Sequence, residues 1–277
     1  MIDLHCHTRE SDGTDTPHEL VQIAADAGIT TLSITDHDTF AGYDAARPHA
    51  WKAGIELICG VELSCRHEEK TVHLLGYFRG AEGAPAEFRE WVDGILTSRT
   101  ERNLRLIAKL NGMGLDITLE EVQAIGGSVT GRPHFANVLV AKGYAADRND
   151  AFRRLIGEEG AAFVERIGPT LAEAAGRIRA AGGVSSLAHP VRIGYFREPE
   201  RELALLAELR EAGLTAVEVY HSDHTPALCE RYLEFANLLG LLQTGGSDYH
   251  GGNKAGLELG SVPVPWSVME GLRSLGF

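Results

Sequence analysis

Residues 1–38 read MIDLHCHTRESDGTDTPHELVQIAADAGITTLSITDHD. The stretch opens on a short apolar strand beginning at Ile2–Leu4 and closes on a second, Thr30–Ile34. Between them, Thr16-Pro17 starts a helix that runs to Gly28. Thr16 serves as N-cap, and Pro17 sits in the first turn, where its missing N–H is harmless. The rhythm continues. A helical stretch, Ala41–Ala53, stops at Gly54, and Ile55–Val61 and Thr71–Phe78 read as buried strands. Strands alternating with helices, the strands nearly continuous in apolar residues, predict an α/β fold built on a parallel sheet or barrel.

The middle of the chain has another period. From about Pro85 to Arg166 no convincing strand is found. Phe88, Trp91, Val92 and Ile95, then Leu104, Ile107 and Leu110, follow helical spacing. Thr118-Leu-Glu-Glu121 is a capping-box pattern, Pro133–Lys142 reads as a helix closed by Gly143, and Asn149–Gly157 as one more. The α/β rhythm returns at Thr170-Leu-Ala-Glu173, a second capping-box pattern whose helix ends at Gly182-Gly183. Val184–Ala188, Leu214–Tyr220 and Leu241–Thr244 follow as strands, with helices at Pro199–Ala212 and from Thr225-Pro226 to Gly240. The expected organisation is a discontinuous α/β domain, residues 1–84 and 167–277, interrupted by a helical insertion, residues 85–166.

The chain has 277 residues, with 44% hydrophobic and 23% charged, a globular composition long enough to bury its core without staples. Its net charge of −13 argues against broad non-specific binding to nucleic acid or membrane, but not against a small anion held by metals and a few arginines. No apolar run approaches the ~20 residues of a membrane span. The N-terminus lacks a basic segment followed by an apolar one, so no signal peptide is expected. Four cysteines (Cys6, Cys59, Cys65, Cys229) without paired spacing predict a reducing, cytoplasmic compartment. Cys6 lies between two strand histidines, faces the opposite side and reads as a packed core thiol.

The twelve histidines matter for where they fall. His5 and His7 form an H-x-H at the end of the first strand, on one face. Asp12 follows in Ser-Asp-Gly, His37 ends the second strand, and Glu62 ends the third. His73 sits in Thr-Val-His-Leu-Leu, and His189 in Ala-His-Pro. Asp248 and His250 form a second same-face pair in Ser-Asp-Tyr-His. All but His73 lie at or just beyond the C-terminal end of an expected strand, where α/β folds place their sites. Singly, each has a plainer reading: a hydrogen-bonded core histidine, a turn residue at Asp12, a loop cap at Asp248. Together they are too many for one tetrahedral ion and suit two or three bridged by a carboxylate. His18 and His49 read as surface residues. Asp36 and Asp38, flanking His37, either orient an imidazole or cap the loop.

Asp3-Leu-His-Cys-His-Thr8, Ser11-Asp-Gly13, Thr35-Asp-His-Asp38, Gly60-Val-Glu62, Ala188-His-Pro190 and Gly246-Ser-Asp-Tyr-His250 together resemble the successive motifs of the PHP (polymerase and histidinol phosphatase) family, over nearly the whole chain. That resemblance implies a distorted (β/α)7 barrel with a helical insertion capping the active site, and a trinuclear metal centre. One ion would take His5, His7, Glu62 and Asp248. A second would share Glu62 and add His73 and His189, and the third would take Asp12, His37 and His250. Asp12 stands where other branches carry histidine. Mn, Fe and Zn are the candidate ions, since mixed imidazole and carboxylate ligation suits all three.

The insertion, with Gly131-Arg-Pro-His134, resembles members that act on nucleoside 3′,5′-bisphosphates, some of which also trim RNA 5′ ends. There Arg132 and His134 would hold phosphate, bidentately for arginine. The plainer reading makes them a solvated residue and a helix start. Arg192, His221 and His224 are candidates for the second phosphate or the leaving group. A general acid near neutral pH is most simply a histidine, here His224, with Asp248 as its catalytic companion and His221 the weaker choice. The expected activity is phosphomonoester hydrolysis at the 3′-phosphate, with metals bringing bound water to a pKa of about 7. The rivals are histidinol phosphate or short RNA as substrate, amide or lactone hydrolysis, and a non-catalytic metal-binding module. The expected partner is a small phosphorylated substrate, a nucleotide or a short RNA end, with no membrane and no obligate protein partner.

Overall fold

Seven strands form one sheet in chain order in the computed structural model, which describes residues 1–68, 70–80, 82–165 and 168–277. They are β1 (Ile2–Cys6), β2 (Thr31–Ile34), β3 (Glu56–His67), β4 (Lys70–Phe78), β5 (Val184–Leu187), β6 (Ala216–His221) and β7 (Leu242–Gly246). The expected all-parallel sheet fails at one strand. β4 runs antiparallel to both β3 and β5, while the other neighbours are parallel. β3 continues six residues past Val61, and His67 pairs with Lys70 across a turn in which Glu68 has φ 51°. A parallel crossover needs a dozen or more residues, and the chain supplies a hairpin turn instead.

The sheet curls until its ends meet, giving a nearly closed barrel. Asp248 N–H donates to His5 O at 2.7 Å, and His7 N–H donates to Tyr249 O at 2.8 Å. The buried Asp3 carboxylate clasps the seam by accepting from the backbone N–H of His5, Ser247 and Gly260. A Cβ at Gly246 would stand 2.4 Å from His5 N, so only glycine lets the two ends approach this closely.

Helices α1 (Pro17–Asp26), α2 (Ala41–Ala53), α7 (Leu171–Ala180), α8 (Pro199–Ala212), α9 (Pro226–Leu239) and α10 (Ser267–Ser274) belong to the same unit as the sheet, Met1–Val92 with Pro169–Phe277. Leu20, Val21 and Ala24 of α1 and Ala46 and Ala50 of α2 bury against Leu32, Ile34 and Cys6. Cys6 donates its thiol to Ser33 O, as a core residue. All four cysteines are free.

A second unit spans Asp93–Gly168. It takes the later part of α3 (Ala86–Gly112), then α4 (Leu119–Gly126), α5 (Arg132–Ala141) and α6 (Arg148–Ala151), the last running into a π-helical turn, Phe152–Ile156. The boundary falls inside α3, at Val92/Asp93. None of this unit's described residues lies in a strand. Its core gathers Leu106, Leu110, Ile117, Val122, Phe135, Leu139 and Ile156. Among the described residues, no helix is long and apolar enough to cross a membrane.

Candidate metal centre

The strand ends that converge at one end of the barrel bring all nine expected ligands together. Antiparallel β4 explains the residue that broke the strand-end pattern. His73 lies near the start of its strand, pairs with Ser64 and accepts from Ala188 N–H, so it belongs to the same end of the sheet as the others. Glu62 stands at the centre. Its Oε1 lies 3.4 Å from His5 Nε2, 3.1 Å from His73 Nδ1 and 3.0 Å from His189 Nε2. Its Oε2 lies 3.1 Å from His7 Nε2 and 3.0 Å from His37 Nδ1. Asp12 sits 3.6 Å from both His7 and His37 and 3.3 Å from His250. Asp248 Oδ1 lies 3.3 Å from both His5 and His7.

Four groups of converging donor atoms follow among the described residues: His5, His7, Glu62 and Asp248; His37, Glu62 and His73; His7, Asp12, His37 and His250; and His5, Glu218 and His221. The donor set fits a divalent ion on an observation of its own. His5 Nε2, His7 Nε2 and His37 Nδ1 are buried and have no hydrogen-bond partner, although each lies close to a carboxylate oxygen. Buried polar atoms are normally paired, and lone pairs aimed at one small space are what a cation satisfies.

Electrostatics carry the same strain. Burial lowers His7, but the Asp248, Glu62 and Asp12 carboxylates beside it outweigh it and raise it to about 10. Burial wins at His37, which falls to about 3, and at His189, which falls to about 4. Burial disfavours charge on Glu62, yet the surrounding imidazoles hold its carboxyl well below the usual range. Two of the nine also sit in left-handed backbone, His189 at φ 26° and Asp248 at φ 56°, the kind of conformation that persists where surrounding structure fixes it.

Residues outside the nine hold this arrangement: Glu218 and Gly42, which the sequence did not single out, and Asp36 and Asp38, which it placed beside His37. Glu218 is fully buried in β6; its Oε1 bonds His5 Nδ1 at 2.9 Å and its Oε2 accepts from His189 N–H at 2.7 Å. A carboxylate on the far nitrogen fixes which nitrogen of His5 faces the centre. The signal was an acid in an otherwise apolar strand, Ala216-Val-Glu-Val219. Asp36 accepts from Thr8 N–H, Thr8 Oγ1 and Ser11 Oγ, tying down the loop that presents Asp12. A Cβ at Gly42 would lie 1.8 Å from Asp36 Oδ2, so the start of α2 must be glycine there. Asp38 Oδ1 accepts from Ser64 N–H at 2.7 Å.

The substrate candidates fall in different places. Arg192 lies beside the centre, with Nη2 3.0 Å from Asp248 Oδ2. His221, the weaker histidine in the sequence, is buried with Nε2 3.3 Å from the same oxygen. His224 stands behind it, ring centroids 5.3 Å apart; its Nδ1 bonds Val219 O, and it makes no hydrogen bond to any of the nine. Arg132 and His134 belong to the helical unit. Arg132 opens α5 with its guanidinium 5.9 Å from the Phe163 ring, and His134 Nδ1 accepts from Gly131 N–H at 3.0 Å, capping the same helix.

Residues 3–258 match the model of the PHP domain. A 5′-3′ exoribonuclease of Haemophilus influenzae is 31% identical over 90% of this chain and 89% of its own length. A 3′,5′-nucleoside bisphosphate phosphatase of Chromobacterium violaceum is 31% identical over 94% of this chain and 90% of its own. Among solved structures, a Bifidobacterium adolescentis protein described as a metal-dependent phosphoesterase superposes with a TM-score of 0.81 at 31% identity, covering 100% of this chain and 96% of that one. Family, relatives and the convergent donor atoms agree on the class of chemistry. The chain belongs to the PHP family and is a metal-dependent phosphoesterase.

Proposed function

We propose that the chain hydrolyses a phosphate monoester, the 3′-phosphate of a nucleoside 3′,5′-bisphosphate, using two to three divalent ions. One observation carries the reading of the centre: the Glu62 carboxylate met by five imidazoles, three of which have a buried nitrogen with no hydrogen bond. Glu62 is the bridge in this reading. His5, His7 and Asp248 join it at one ion, His73 and His189 at a second, while Asp12, His37 and His250 hold the third. Mn, Fe and Zn all suit such ligation. When bound, the ions supply hydroxide near neutral pH and stabilise charge on the phosphoryl oxygens.

The protein's own groups do the rest. Glu218 keeps His5 turned toward the centre, and Asp36 keeps the Asp12 loop in place. Arg192 offers a permanent cation to a phosphate beside Asp248. His224 is assigned the proton of the leaving alkoxide. Arg132 and His134 are assigned phosphate contacts on the family resemblance alone. The substrate follows from the bisphosphate phosphatase among the relatives. A second reading, removal of nucleotides from the 5′ end of short RNA, is favoured by the exoribonuclease at equal identity.

Phosphate or nucleotide release from nucleoside 3′,5′-bisphosphates, 5′-phosphorylated oligoribonucleotides and histidinol phosphate, with Mn, Fe or Zn loaded in turn, tests both readings. The bisphosphate should give the highest kcat/KM. A tenfold preference for the oligoribonucleotide would transfer the assignment to the second reading.

A further inference from the structure

Around Asp248 lies a cluster of charged groups, Arg192, Lys254 and Asp223, that the proposed ligand set leaves out. The Asp248 carboxylate is divided. Its Oδ1 faces His5 and His7, whereas its Oδ2 faces away from them, toward Arg192 Nη2 at 3.0 Å, His221 Nε2 at 3.3 Å and the Lys254 ammonium in direct contact. Lys254 also donates to Asp248 O at 3.1 Å. A second carboxylate closes the cluster. One oxygen of Asp223, Oδ2, is gripped at 2.7 Å by both Nε and Nη2 of Arg192. Asp223 N–H donates to His221 Nδ1, which ties the loop to the same cluster.

The layers differ in access. Asp248 and His221 are buried, but the Arg192, Lys254 and Asp223 side chains are 38, 30 and 45% exposed. Two permanent cations therefore sit at the surface over a buried floor, on a chain whose net charge is −13. Nε and Nη2 are also the N–H groups with which arginine can hold two oxygens of a phosphate. Asp223 fills that position with a carboxylate of its own. Ion pairs this exposed are weak, so the occupant can be displaced by an anion of higher charge.

We propose that Arg192 and Lys254 form an anion subsite for the substrate phosphate that is not hydrolysed, and that Asp223 occupies it as an internal counter-ion until that phosphate arrives. The proposal rests on the bisphosphate reading for the identity of its ligand. It makes Asp223 a competitor of the substrate and Lys254 a determinant of specificity.

The test measures the Ki of adenosine 3′,5′-bisphosphate as an inhibitor of aryl phosphate hydrolysis by the metal-loaded enzyme, beside the Ki of adenosine 3′-monophosphate. In D223N the bisphosphate Ki should fall about 3- to 10-fold, with a smaller change for the monophosphate. In K254Q it should rise about 10-fold, and K254R should stay within about threefold of the wild type because the charge remains. A D223N enzyme that binds the bisphosphate no better than the wild type, or a K254Q enzyme that binds it equally well, overturns the subsite. A bisphosphate that binds with this pattern but is never hydrolysed upholds the subsite and overturns only the reading of the reaction.

Discussion

The apolar cluster of the helical unit and the end of the barrel unit's sheet are filled by opposite rules. The cluster at the heart of the helical unit is apolar, from Leu106 and Leu110 through Val122 to Phe135 and Leu139. The barrel unit buries His5, His7, Asp36, Glu62, Glu218 and Asp248 at one end of its sheet. An apolar core is stable by itself, because burial alone drives its packing. A buried set of acids and imidazoles is not, because desolvation opposes every charge in it. The barrel unit thus carries a region whose stability depends on what binds there, and the apolar cluster of the helical unit does not.

The strongest way to break that contrast is Glu62→Gln. The change keeps the shape but removes the charge that five imidazoles face. Ion stabilisation of phosphoryl transfer is worth several kcal/mol, so activity should fall roughly 10³-fold or more. Metal content by elemental analysis should fall with it. Stabilisation by added metal, seen as the difference in melting temperature with and without chelator, should shrink as well. Near wild-type turnover and metal content in Glu62→Gln would refute the bridging assignment.

Phe135→Ala is the counterpart in the helical unit. Phe135 is fully buried in the apolar cluster, and truncating such a ring costs about 3–5 kcal/mol. Thermal melts followed by circular dichroism should show earlier loss of helix, while metal bound per chain stays as in the wild type. Loss of metal in proportion to loss of helix would mean the two interiors are not independent.

The contrast also accounts for what could be read from the sequence. Each candidate ligand stands in a short polar motif within or following an apolar strand, and such motifs are visible one at a time. The helix starts at Thr16 and Thr118 were legible for the same reason, since Thr16-Pro17 and the capping box from Thr118 to Glu121 are each local. The direction of β4 was not. It depends on β3 running on to His67, and Leu63-Ser-Cys-Arg66 gives no alternation that distinguishes strand from loop. Glu218 and Lys254 were missed because a lone acid or lysine looks like an exposed side chain until the sheet closes around it. That His221 lies nearer Asp248 than His224 was not legible either, because it depends on where β6 ends.

Glu218→Gln sharpens the comparison within the barrel unit. It leaves the candidate ligands intact and weakens only the partner that orients His5 and holds the His189 backbone. Loss of such a supporting carboxylate costs about 10–100-fold in metal affinity or activity. Metal titration monitored by activity should move to higher concentration by that factor, with kcat at saturating metal changed less. An unchanged titration midpoint would remove Glu218 from the centre's support.

The smallest effect tests whether the units differ in anything besides their interiors. Thr16 and Thr118 begin helices in different units with the same reciprocal bonds. Thr16 Oγ1 accepts from Glu19 N–H at 3.0 Å, and Glu19 Oε2 accepts from Thr16 N–H at 2.8 Å. The corresponding distances at Thr118 and Glu121 are 3.2 and 2.9 Å. Each box is exposed and local, so neither should register what its unit has buried. Thr16→Ala and Thr118→Ala should each lower stability by about 1 kcal/mol in denaturant melts, with phosphoesterase activity within about twofold of the wild type. If the rule is common, the two losses will agree to within about 0.5 kcal/mol. A Thr16→Ala loss several times larger, and recovered by added metal, would mean that the start of α1 is coupled to the nearby Asp12 loop. The contrast between the units would then reach their surfaces as well.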